Sequence, residues 1–102
     1  RGTSELEEGE TEMFLSDLAG FLVENPNIVL RINGHTDNVG DPALNKQLSL
    51  ERAGSIRDFL VAQGVEFEKL RISGWGGTRP IASNVTEAGR AKNRRVELVV
   101  EK

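Results

Sequence analysis

Apolar positions recur in a helical rhythm near the start of the chain. Phe14, Leu18, Phe21 and Leu22 fall at i, i+4, i+7 and i+8, one face of an α-helix. Asn25-Pro26 ends that pattern, because the residue before proline avoids helical angles. The next stretch, "IVLRIN" (28–33), is β-branched and reads as a strand, with "GHTDNVG" (34–40) as its exit loop. Asp41 followed by Pro42 is an N-cap and first-turn pair. Ser49 is a second candidate cap that would divide the following helix into a short turn and a longer segment. Leu48, Ala53, Ile56, Phe59 and Leu60 keep helical spacing, and Gly64 is a natural stop. "KLRISGW" (69–75) reads as a second strand entering a glycine-rich loop. Thr86 can cap a short helix through "EAGRAKN", and "RRVELVV" (94–100) is a third strand with Val96, Leu98 and Val100 on one face.

This order, α-β-α-β-(α)-β, predicts an α+β fold, an α/β sandwich. A small mixed sheet of three to four strands would carry two main helices on one face. A three-stranded sheet is thin, and a strand just before Arg1 would complete it. The opening "RGTSELEEGE" is acidic and reads as a lead-in to the first helix. Residues 1–102 read as one domain, long enough for a core without staples. Because the chain begins at Arg1 rather than Met, it reads as a piece of a longer protein, with any targeting or anchoring segment elsewhere.

Composition narrows the chemistry. With 37% apolar and 28% charged residues the chain is an ordinary globular one. A net charge of −3 argues against a general nucleic-acid binder, which needs a positive field. No cysteine is present, which excludes disulfides and thiolate zinc sites. No apolar run approaches the ~20 residues of a membrane span.

A turn explains the glycines of "GHTDNVG" but does not require an acid at Asp37. Arg52 lies fifteen residues later. If Ser49 caps a helix, Arg52 is in its first turn, where free N–H groups attract anions. Its guanidinium would grip a carboxylate while Asp37 holds an ammonium, a cradle for a zwitterion. Two plainer readings stand beside it: an Asx-type turn at Asp37, and a direct Asp37–Arg52 salt bridge. His35, the one histidine, with Ser49, Ser55 and Asp41 suggests a triad only on paper, since no G-x-S-x-G elbow exists. A metal site of His35, Asp37 and Asp41 matches no known ligand spacing. "GRAKNRR" (89–95) is a short basic run that could meet an acidic partner or form a solvated face. "GWGGTRP" lacks the G-K-[ST] ending of a phosphate loop, and Trp75 is core or a stacking platform.

Four ordered motifs then coincide: Thr36-Asp37-x-x-Gly40, Asn45-x-x-Leu48-Ser49-x-x-Arg52-Ala53, Gly74-x-Gly76-x-x-x-Pro80 and Asn93-Arg94-Arg95-Val96. Over about residues 3 to 100 the chain resembles the OmpA-like peptidoglycan-binding domain of outer-membrane porins, peptidoglycan-associated lipoproteins and flagellar stator subunits. The resemblance implies non-covalent binding of peptidoglycan through the diaminopimelate of its stem peptide, without catalysis and without a cofactor or metal. It implies that Asp37 accepts the side-chain ammonium and Arg52 takes the adjacent carboxylate. Thr36, Asn45 and Arg94 match further family positions, and Leu48 is expected to line the pocket. It also implies a place on the periplasmic face of a Gram-negative envelope, associated with the outer membrane. A membrane-attached parent protein is expected, and a homodimer is left open. Two departures stand out. The family's first strand and its aromatic residue would lie before Arg1, taking part of the pocket wall with them. The loop from Gly40 to Asn45 is short, as in the porin and lipoprotein members rather than the stator branch. The competing reading is a protein-interaction domain of an envelope or motor complex with a vestigial ligand site.

Overall fold

The computed structural model describes residues 8–101, so the acidic opening through Glu7 lies outside the described residues. Helix α1 runs Glu8–Glu24, strand β1 Val29–His35, helix α2 Pro42–Ala62, strand β2 Leu70–Gly74, helix α3 Glu87–Asn93 and strand β3 Arg95–Glu101. A single 3-10 turn, Phe67–Lys69, leads into β2. The sheet is mixed, in the order β2-β1-β3, with β1 parallel to β2 and antiparallel to β3. It is the small α+β domain that the alternation of elements predicts.

Local chemistry sets the ends of the elements. Asn25 donates its side-chain amide to the Phe21 carbonyl at 2.8 Å, closing the last turn of α1 before Pro26. The Asp41 carboxylate accepts from the Ala43 N–H at 3.3 Å, with Pro42 in the first turn of α2. At the other end Gly64 donates to Val61 and Val65 to Leu60, the paired bonds that end a helix at a glycine. Thr86 caps α3, its hydroxyl accepting from the Gly89 N–H at 3.0 Å.

Ser49 does not divide α2. It lies buried inside one continuous helix, its hydroxyl donating to the Lys46 carbonyl at 2.8 Å and accepting from the Gly76 N–H at 2.9 Å. A serine hydroxyl satisfied in this way need not cap anything. Arg52 is therefore ten residues past Pro42 rather than in a first helical turn, and the anion-attracting helix start drops out of its environment.

The core joins Leu15, Ala19 and Leu22 of α1 to Leu30 and Ile32 of β1, Ala53 and Leu60 of α2, and Leu70 of β2. The buried stripe of α1 is thus turned by one residue from the one its phenylalanines suggest. Phe14 and Phe21 stay about half exposed, while Ala19 is sealed. A small residue at the centre of the stripe lets α1 approach α2 closely, which a phenylalanine would prevent. Phe14 instead rims an apolar trench of about 550 Å³ with Thr11, Leu15, Ile56, Val96 and Leu98. The opposite sheet face is polar: Arg31 spans it, bonding Glu101 at 3.1 Å and Ser73 at 3.4 Å. No helix among the described residues is long and apolar enough to cross a membrane.

One further boundary differs from the sequence pattern. β1 extends through Gly34 and His35, so the loop begins at Thr36. Gly34 belongs in the strand because α2 crosses it so closely that a Cβ there would collide with the Ser49 carbonyl.

Leu60→Ala should cost about 2–5 kcal/mol in urea unfolding, since it opens a cavity in the sealed core. Leu44→Ala, on the exposed side of the same helix, should shift stability by less than about 0.5 kcal/mol.

Candidate functional site

The parallel strands β1 and β2 end on the same side of the sheet, and antiparallel β3 begins there. Loop 36–40, loop 75–80 and the Asn93-Arg94 junction therefore meet at one end of the sheet, beside the first turns of α2. Asp37 is at the centre of this cluster. One carboxylate oxygen accepts from the Val39 N–H at 3.0 Å, and the other takes the Arg94 guanidinium at 2.9 Å. The Asx turn and the ion pair coexist on one side chain. The salt-bridge partner given to Asp37 is Arg94, 57 residues away, in place of the Arg52 bridge that spacing alone suggests.

Arg94 has a second acid. Its other terminal nitrogen meets Glu87 at 2.6 Å, and Glu87 also takes Arg90 at 3.1 Å. These contacts form a chain of alternating charge, Asp37–Arg94–Glu87–Arg90. Burial pushes the Asp37 carboxyl up, but the Val39 N–H and the Arg94 guanidinium outweigh it and hold the group below its ordinary value. Glu87 is lowered by its bonds to Arg94 and Arg90, and Arg94 is raised by Glu87 and then Asp37. Asp37 is thus an anion throughout the neutral range.

The remaining candidates take different places. Thr36 is buried, its N–H donating to the Gly76 carbonyl at 2.9 Å and its hydroxyl to the Asp37 carbonyl at 2.7 Å. It fixes the loop that carries the acid. Asn45 donates its amide to the Val39 carbonyl at 2.8 Å, tying the same loop to α2. Leu48 is 40% exposed, and Arg52 is half-buried. Asn45, Leu48 and Arg52 fall at i, i+3 and i+7, on one face of α2. That face continues to Ile56, and of this helical row Ile56 shares the apolar trench with Arg94.

His35 belongs to a separate network. It is 2% exposed, and its Nε2 faces Glu97 at 3.2 Å. Glu97 is held in turn by Arg95 at 2.8 Å. The imidazole is thus sealed and engaged with a carboxylate, away from the Asp37–Arg94 pair. The hydroxyls of the paper triad are committed too: Ser49 donates to Lys46 and Ser55 to Glu51. Asp41 caps α2 while Asp37 pairs with Arg94, so the imagined ligands of a metal point to separate partners. Among the described residues no cluster of three such side chains could hold a metal ion.

Glu87 escaped the sequence reading, and Asn93 entered it only as the first position of a motif, with no role given. Glu87 carries a signal only in hindsight, as an acid just after a threonine cap. Asn93 is fully buried; its carbonyl oxygen accepts from Ile81 at 2.7 Å and Ala82 at 3.0 Å, and its amide donates to the Ala82 carbonyl and Asn84. It pins loop 81–84 beside Arg94.

Comparison with known proteins fits this geometry. The OmpA family model matches residues 1–94. The chain belongs to the OmpA family. Outer membrane porin F of Pseudomonas fluorescens is 44% identical over 87 residues, 85% of this chain and 27% of that protein. Peptidoglycan-binding protein ArfA of Mycobacterium bovis is 48% identical over 86 residues, 84% of this chain and 26% of that protein. The chain thus spans about a quarter of the length of these curated relatives. Among solved structures, the peptidoglycan-associated lipoprotein of Burkholderia pseudomallei superposes with a TM-score of 0.90 at 28% identity, over 99% of this chain and 83% of that one. The C-terminal domain of Helicobacter pylori MotB superposes with a TM-score of 0.85 at 25% identity, over 100% and 80%.

The buried His35 gives a pH prediction. Burial, then the Arg95 charge, lowers its pKa below 6.5, with Glu97 opposing. On acidification the unfolded chain takes up the proton first, so stability falls as pH drops through and below that value. His35→Gln should flatten the decline that sets in as pH falls through about 6.5 in urea unfolding, leaving the acid limb set by the carboxylates.

Proposed function

We propose that this domain binds peptidoglycan without chemical conversion, through the diaminopimelate of the stem peptide, and so holds an envelope protein to the cell wall. The observation that carries the reading is the Asp37 carboxylate. It is ionised, held by Arg94 and aimed from a fixed loop in a member of the OmpA family. Relatives named for peptidoglycan binding or association support the ligand class.

The side chain of diaminopimelate ends in an ammonium and a carboxylate on one carbon. Asp37 takes the ammonium, and Arg52, on the α2 face with Asn45 and Leu48, takes the carboxylate. Leu48 offers apolar surface to the methylene stem. Thr36 and Asn45 keep the loop in register through their bonds to the Asp37 and Val39 carbonyls. Arg94 keeps Asp37 charged and oriented. Two charge-assisted contacts at a fixed separation favour this amino acid over one carrying only the ammonium.

The reading is of binding rather than catalysis, and the sealing of the one histidine behind Glu97 supports it. The domain acts at the periplasmic face of the envelope, as part of a membrane-attached protein. Porin and lipoprotein relatives support that placement. An acidic protein partner for the "GRAKNRR" run is the weaker reading. Arg90 and Arg94 are both paired with Glu87, and Arg95 with Glu97, which reduces the positive field that such a partner would need.

Asp37→Ala and Arg52→Ala should each abolish co-sedimentation with purified sacculi while leaving the circular dichroism spectrum unchanged. Retention of binding by both would remove the mechanism. Calorimetry should show free diaminopimelate binding more tightly than lysine by about 1.5–3 kcal/mol, the worth of the charge-assisted carboxylate contact. Arg52→Ala should erase that difference.

A further inference from the structure

Loop 36–40 has a second side. Opposite its contact with Arg94 it meets the Trp75 loop and the start of α2. A hollow of about 440 Å³ lies there, lined among others by Asn38, Asn45, Lys46, Trp75 and Thr78. A second hollow of about 370 Å³ adjoins it, formed by Ser73 and Gly74 together with Lys46, Trp75 and Thr78. Lys46, Trp75 and Thr78 line both, so they form a ridge between two neighbouring compartments.

The ridge is fixed in place. The Trp75 N–H donates to the Gly34 carbonyl at 3.0 Å, and the Thr78 hydroxyl donates to the Trp75 carbonyl at 2.7 Å. The Arg79 guanidinium lies 3.6 Å from the indole centroid and lines neither hollow, so it sets the ring orientation without filling the groove. Gly77 presses on the Asp37 loop so closely that a Cβ would stand 2.5 Å from the Asp37 carbonyl. Groove and acid therefore share one rigid wall.

The geometry points to a glycan subsite: the paired hollows around Trp75 take two successive N-acetylated sugars of the peptidoglycan strand, while the other side of loop 36–40 takes the peptide. This rests on the peptidoglycan reading above. A pyranose has an apolar C–H face that suits an indole and a rim of hydroxyl and acetamido groups. Asn38, Asn45, Lys46 and Thr78 supply the donors and acceptors that such a rim needs. Two linked compartments match a polymer of alternating sugars better than a single small molecule. Lys46 is the one cation lining the groove, too little charge for a polyphosphate backbone.

Trp75 is the only tryptophan in the chain, so its emission reports this groove directly. The test titrates the protein with a disaccharide-peptide muropeptide, the same peptide without sugars, and a chitin oligosaccharide. Calorimetry and fluorescence are both read. The muropeptide should bind about tenfold tighter than the bare peptide, the scale of one stacking contact with its hydrogen bonds, and only sugar-bearing ligands should shift Trp75 emission. Trp75→Leu should erase the tenfold difference and leave affinity for the bare peptide unchanged. If that variant fails to fold, Lys46→Ala and Thr78→Ala should each reduce the difference in the same way. Equal affinity of muropeptide and bare peptide with silent Trp75 emission overturns the subsite and leaves the peptide reading standing. Binding of the chitin oligosaccharide alone, lost on Trp75→Leu and insensitive to Asp37→Ala, supports the subsite and sinks the peptide reading. Binding of none of the three overturns both.

Discussion

A charged loop can be a recognition element only if its base cannot move, and here the base is β1. The strand is bonded on both edges, by β2 in parallel and β3 in antiparallel register, and its Leu30 and Ile32 are sealed under α2. It cannot slip by one residue without turning those side chains to the polar face. Everything after His35 inherits that constraint. The parallel pairing of β1 with β2 requires a crossover, and α2 supplies it, passing so close that Gly34 cannot carry a side chain. Three loop segments are thereby collected at one end of the sheet around a single carboxylate.

Asn93 and Ser49 at that end are buried with their hydrogen bonds made, which makes the arrangement affordable. Asn93 is sealed from solvent yet has four hydrogen bonds, two through each end of its amide. Removing any partner would leave a buried group unsatisfied, at about 1–3 kcal/mol. Ser49 has the same role deeper in, holding the Gly76 N–H against α2. Satisfied side-chain amides and hydroxyls here replace the apolar contacts that hold the other end of the sheet.

Much of this fold was legible because its punctuation is local. Asp41-Pro42, Thr86, Gly64 and Asn25-Pro26 mark helix ends through chemistry that acts within four residues, and the structure uses each of them. Ser49 misled for an instructive reason: a cap and a buried in-helix hydroxyl look the same in sequence, and only the Gly76 N–H across the fold decides between them. The phenylalanines of α1 misled similarly, since periodicity gives a stripe but not which of two overlapping stripes meets a neighbour. At the site, Asp37 stood out as an acid that a turn did not need. Its pairing with Arg94 was beyond any spacing rule, because sheet topology alone brings positions 57 apart together. Glu87 was invisible for the same reason.

That double pairing of Arg94 bears on how a ligand would enter. Asp37 is engaged by Arg94 and Val39, so on the proposed reading an ammonium would share or take its carboxylate. Were Arg94 held by Asp37 alone, losing that contact would strand a guanidinium at a partly buried position. Glu87, at 2.6 Å on the other nitrogen, keeps the arginine neutralised and oriented whichever cation Asp37 holds. The Val39 N–H keeps the carboxylate aimed through the exchange. On the proposed reading, Asp37 would change partners while neither its own geometry nor that of Arg94 has to be rebuilt, a site organised ahead of its ligand.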